Sequence, residues 1–121
     1  MTAPTPPERR QAPRVADRVS LAISDTSFAA ETESQNLSAT GVYCTLDRFI
    51  PPMTKLQVRF EVPNGARRVP IACAGVVVRV EPVIDEAQRG RYHVAIYFTD
   101  ITDRNRSAIS TFVAQRLSAQ T

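Results

Sequence analysis

Three arginines, Arg9, Arg10 and Arg14, stand ahead of the first regular run of the chain, opposed there by Glu8 alone. Arg10 and Arg14 are four residues apart. A guanidinium is a planar fork that grips a phosphate, or the O6/N7 edge of a guanine, through two parallel hydrogen bonds. Downstream comes Asn36-Leu37-Ser38-Ala39-Thr40-Gly41. Here Asn36 offers an amide that can pair with a base edge. Ser38 offers a hydroxyl for a phosphate or for its own turn. Gly41 permits a backbone approach that a Cβ would obstruct. Both groups are poorly explained by core building.

Other chemistries lack material. The chain has two cysteines, Cys44 and Cys73, and a single histidine, His93. A zinc site or a disulfide framework needs more ligands at tighter spacing, and no paired acid and base or activated nucleophile is recognisable. Both cysteines sit in strand-like runs and read as small buried hydrophobes. The chain is therefore expected not to be an enzyme. Of 15 basic residues 14 are arginine, yet the net charge is only +3 and there is no tryptophan. That is a poor match to a nucleic-acid-binding barrel, for which steep salt dependence would be the sign. No apolar run reaches the length of a membrane span and the first residues have no signal-like core, so the expected location is the cytoplasm, without membrane insertion.

These groups must be positioned by the rest of the 121 residues, enough for one domain with 43% apolar composition. Residues 1–13 carry Pro4, Pro6, Pro7 and Pro13 and no periodicity, and read as a flexible basic arm. Residues 14–118 form the folded domain. Val19, Leu21 and Ile23 alternate in a first strand, a weaker one spans about 27–32, and Glu33-Ser34-Gln35-Asn36 reads as a turn before GVYCTL. Leu56, Val58, Phe60 and Val62 line one face of the clearest strand, which ends at Pro63-Asn64-Gly65. A long strand runs from Ile71 to about Val80, buried on both sides or bent at Gly75. The last strand places Tyr92, Val94, Ile96 and Phe98 on one face. Beyond residue 101 the period changes, and Ile109, Phe112, Val113 and Leu117 predict a helix over about 102–117, with Thr102 or Asp103 as its cap. The expected fold is all-β with one C-terminal helix, a six-stranded antiparallel barrel of split or Greek-key type.

With its two motifs on such a barrel, the chain resembles the PilZ domain family, bacterial receptors of cyclic di-GMP. That family carries R-x-x-x-R before its first strand and D/N-x-S-x-x-G twenty to thirty residues later. Arg10-Gln11-Ala12-Pro13-Arg14 and Asn36-Leu37-Ser38-Ala39-Thr40-Gly41 match both, in order, and the resemblance covers about residues 8–117. It implies that Arg10 and Arg14 meet guanine edges and phosphates, that Asn36 and Ser38 make polar contacts, and that Gly41 has a backbone role. A basic residue just before the first motif, here Arg9, accompanies a stacked pair of ligands in the family, which implies two molecules per site.

The resemblance further implies a non-enzymatic effector whose arm becomes ordered around cyclic di-GMP and alters contact with a partner protein. Motility, surface polysaccharide, virulence and adhesion are the processes typical of the family. The alternative is a PilZ-like adaptor that binds protein and no nucleotide. Remaining features have ordinary readings. Tyr43 and Tyr97 alternate away from the core face and could line a ligand or partner surface, although packing is the commoner use. His93 reads as a strand residue, Arg67, Arg68, Arg104 and Arg106 as solvated charges, and Asp17 and Arg18 as a pair that could form locally.

Overall fold

The computed structural model describes residues 14–119. The elements in chain order are β1 (Arg14–Val15), β2 (Ser20–Ser24), β3 (Ala29–Ser38), β4 (Gly41–Leu46), β5 (Lys55–Asn64), β6 (Arg67–Pro82), β7 (Tyr92–Asp100) and α1 (Asp103–Ala119). Strands β2 to β7 are the six expected, and they close a barrel. Neighbours pair antiparallel in the order β3-β2-β5-β6-β7-β4, and β4 returns to β3. Closure pairs most of the strand edges, which would otherwise template aggregation. The two-residue β1 adds to β3 beyond the end of β2.

Period-two patterning turns one face of each strand inward. Leu21 and Ile23, Val42, Cys44 and Leu46, Leu56, Val58, Phe60 and Val62, and Val94, Ile96 and Phe98 are all buried. From the helix, Ile109, Phe112 and Val113 join the same core. Thr102 is the helix cap, its Oγ1 accepting the Asn105 N–H at 3.1 Å. The β2–β5 ladder has three paired positions, Ala22 to Ser24 against Gln57 to Arg59, whereas β5 and β6 stay paired as far as Asn64 and Arg67. The barrel is therefore split beyond Ala22, and α1 packs chiefly on β5, with contacts to β1, β3 and β6.

Two local expectations are corrected, and a third is met with an addition. The stretch 33–36 is not a turn: β3 runs on to Ser38, and the reversal falls at Ala39-Thr40. Backbone pairing on both sides overrides the polar composition there, since β3 bonds to β2 and β1 on one edge and β4 on the other. Asp17 and Arg18 do not pair with each other. Asp17 meets Arg116 of α1 at 2.9 Å and Arg18 meets Glu33 at 3.3 Å, because adjacent strand-like residues point to opposite sides. Strand β6 spans 16 residues and absorbs two irregularities against β7, at Ala74/Gly75 and Val77/Arg79. The bend expected at Gly75 thus has a companion that turns Val78 outward, 54% exposed.

Candidate ligand-binding site

The site is assembled at the top of β3. Between β1 and β2 the chain must bulge, because Val15 lies opposite Leu37 while Ser20 lies opposite Glu33. Buried Ser34 closes that bulge. Its Oγ accepts the Val19 N–H at 3.0 Å and donates to the Asp17 carbonyl at 2.9 Å, and its own N–H donates to the Val19 carbonyl at 2.8 Å. The Val19 N–H and the carbonyls of Asp17 and Val19 thus find partners at the bulge. The result holds Arg14 opposite Ser38 in the ladder.

From that position Arg14 Nη1 donates to Asn36 Oδ1 at 3.1 Å. The two motifs, 22 residues apart in sequence, meet through this bond. Asn36 in turn lies opposite Tyr43 of β4, after a register shift between Ser34 and Asn36. Arg14 carries five N–H donors; those beyond this bond have no partner among the described residues and face solvent.

Ser38 and Gly41 are adjacent to this pair but occupied. Ser38 is fully buried, and its Oγ accepts the Thr40 N–H at 3.1 Å and shares a hydrogen bond with Thr40 Oγ1 at 3.0 Å. It therefore fastens the two-residue reversal between β3 and β4. At Gly41 an added Cβ would stand 2.4 Å from the Ile96 carbonyl oxygen, so the residue lets β4 approach β7. Arg9 and Arg10 lie outside the described residues, as does the expected arm over residues 1–13.

Sequence reasoning missed several supports. Ser34 carries no periodic signal, and Arg106, read as solvated, is half-buried and donates from Nη1 to the Ala39 carbonyl at 3.4 Å, in the middle of the second motif. The partly exposed Arg116–Asp17 pair ties the other side of the site to the same helix. His93 stacks on Tyr43 with ring centroids 5.5 Å apart and interplanar angle 16°. Cys44 and Cys73 are unbridged and buried. Burial pushes the Cys44 thiol up to about 12 and the Cys73 thiol to about 11, the Asp100 carboxylate adding to the latter. No group of three or more His, Cys, Asp or Glu gathers among the described residues, and no described helix is long and apolar enough to cross a membrane.

A six-stranded antiparallel barrel with a C-terminal helix packed on it, carrying a guanidinium–amide pair at one rim, defines a class of small β-domains. The profile described as PilZ domain matches residues 8–115, and the chain belongs to that family, whose domains are generally non-catalytic receptors. Similar solved structures include the Bacillus subtilis inhibitor of motility MotI/DgrA (TM-score 0.82, 18% identity, 93% of this chain and 53% of that one). The present chain thus spans about half the length of the Bacillus protein. Also similar are the PilZ domain with c-di-GMP of YcgR from Escherichia coli (TM-score 0.63, 11% identity, 93% and 95%) and the PilZ domain of CeSA from a cellulose-synthesizing bacterium (0.55, 10%, 86% and 97%). At these identities the likeness concerns the fold. No curated protein matches the sequence.

Proposed function

We propose that the protein is a non-enzymatic cytoplasmic receptor of cyclic di-GMP. The observation that carries this reading is the Arg14–Asn36 hydrogen bond, which joins one residue from each motif at the solvent-facing rim of the barrel. Cyclic di-GMP presents two phosphodiesters and two guanine Hoogsteen edges, and guanidinium forks suit both. Arg14 and Asn36 make the fixed part of the site. Arg9 and Arg10 supply the rest from the arm, Arg9 serving a second, stacked ligand molecule. Ser38 and Gly41 shape the rim from below. Ordering of the arm then changes the surface offered to a partner protein, with motility or exopolysaccharide production as the regulated process.

A second reading, an adaptor that binds protein and no nucleotide, draws on Ser38 and Gly41, whose turn and packing duties account for both residues without any ligand. Calorimetric titration of cyclic di-GMP into wild type and Arg14→Ala, with GMP and cyclic AMP as controls, separates the two. The receptor predicts micromolar or tighter binding that Arg14→Ala strongly weakens. Absence of heat with wild type overturns it in favour of the adaptor.

A further inference from the structure

The outer face of the barrel beside the Arg14–Asn36 pair has an order that the two motifs do not explain. The ladders place Asn36 opposite Tyr43, Tyr43 opposite Ala95 and Ala95 opposite Arg79, so these four residues form one row across β3, β4, β7 and β6. Directly paired residues share a face, and the buried neighbours Val94 and Ile96 show that this face is the outer one. In the adjacent row Gly41 lies opposite Tyr97, and Tyr97 opposite Val76. Ala95 is thus a methyl-sized floor flanked by Tyr43 and Arg79 across the sheet and by Tyr97 and His93 along its own strand. Gly41 adds no side chain to the path leading there from Asn36.

Two members of this surround are uncommitted. Tyr43 already stacks on His93. Tyr97 is 52% exposed and, like exposed Arg79, has no hydrogen-bond, ion-pair or ring partner among the described residues. A half-exposed aromatic on a β-surface and an unpaired guanidinium within diagonal reach of it are the components of a base-stacking platform with an anion contact. From Asn36 to Arg79 the row crosses three strand spacings, about 14 Å, a span suited to a cyclic dinucleotide and far wider than one phosphate.

We propose that Tyr97 and Arg79 extend the rim site: Tyr97 stacks on a guanine base settled over Ala95, and Arg79 pairs with the phosphodiester on the side remote from Arg14. The proposal rests on the receptor reading and deepens it, since it assigns contacts on the barrel wall that do not depend on the arm.

The test is titration of cyclic di-GMP into wild type, Tyr97→Ala, Tyr97→Leu, Tyr97→Phe, Arg79→Ala and Arg14→Ala, each checked for an unchanged thermal transition. Tyr97→Leu keeps an apolar cover opposite Gly41 without a π face, so it reports on stacking even if Tyr97→Ala unfolds. Stacking predicts about 5- to 150-fold weaker binding for Tyr97→Ala and Tyr97→Leu, with Tyr97→Phe close to wild type. Arg79→Ala is expected to lose about tenfold or more. Ligand should also quench tyrosine fluorescence in wild type and much less in Tyr97→Phe. If wild type binds, Arg14→Ala fails and the Tyr97 and Arg79 variants stay within about twofold of wild type, the platform is overturned and the receptor stands. If wild type itself does not bind, both fall together.

Discussion

Arg14 Nη1 lies 3.1 Å from Asn36 Oδ1, and this one bond ties the short strand β1 to the far end of β3 on the solvent side. The bond is made at an exposed position, so it contributes little to stability; its value is to hold a guanidinium at a fixed place on the rim.

Replacing Arg14 with Ala should therefore leave folding stability within about 0.5 kcal/mol while weakening cyclic di-GMP roughly 10- to 150-fold, the cost of a lost charge-assisted contact. Asn36→Ala should weaken it about 2- to 12-fold as a neutral hydrogen bond. The double variant should lose less than the sum of the two, because Asn36 acts partly through Arg14. Calorimetry on the four proteins provides the cycle; strict additivity would show that the two residues serve the ligand independently.

Ser34→Ala should cost about 1–3 kcal/mol, since it strands the Val19 N–H and the Asp17 carbonyl together at the bulge. Urea unfolding measures this. The same variant should weaken ligand binding secondarily, by loosening the placement of Arg14, and a variant of normal stability would contradict the role given to the bulge.

Gly41→Ala should destabilise the unliganded protein by about 1–3 kcal/mol or more, because the clash is with the backbone carbonyl of Ile96 and not with a side chain that can turn away. Gly65 offers the contrast. It sits in the β5–β6 reversal with φ +65 and open space around it, so Gly65→Ala meets only the left-handed backbone cost of about 1 kcal/mol. Thermal unfolding of both variants checks the order of the two losses.

Cys44 has its folded pKa raised from 9.0 to about 12 by burial. The stabilising contribution of its protonated form is complete below about pH 9 and is lost as pH rises toward 12. Native protein at neutral pH should accordingly react with a thiol reagent far more slowly than the denatured chain, which should reveal two thiols. Rapid labelling of Cys44 in the native form, located by peptide mapping to tell it from Cys73 on β6, would show that the barrel opens around β4.

The barrel was legible in the sequence wherever a strand has one wet and one dry face. Leu56 to Val62 and Tyr92 to Phe98 declare themselves by alternation, and Asn64-Gly65 marks a reversal that needs a positive φ. Strand β3 did not, because its residues 31–36 are polar on both faces; Thr32 and Ser34 point toward backbone carbonyls of Thr45 and Asp17 instead of toward hydrocarbon. A hydroxyl that satisfies a bulge has no periodic signature. The motif residues were recognisable by type and spacing, yet the reasons for Ser38 and Gly41 lie in a two-residue reversal and a close strand approach that only the register exposes. Arg106 was unreadable for a similar reason, as its acceptor is a main-chain oxygen 67 residues earlier.

Arg106 and Arg116 have a joint consequence. They stand ten residues apart on α1, about 15 Å along the helix axis, one holding the Ala39 carbonyl and the other the Asp17 carboxylate. The helix therefore acts as a splint between the segment that follows Arg14 and the β3–β4 reversal. A ligand that draws β1 toward the β3–β4 reversal must either rock the splint as a stiff body or release one of its two clasps, and amide exchange along α1 should change on ligand addition in both cases. In Arg116→Ala that change should be confined to the first half of the helix, where the remaining clasp lies.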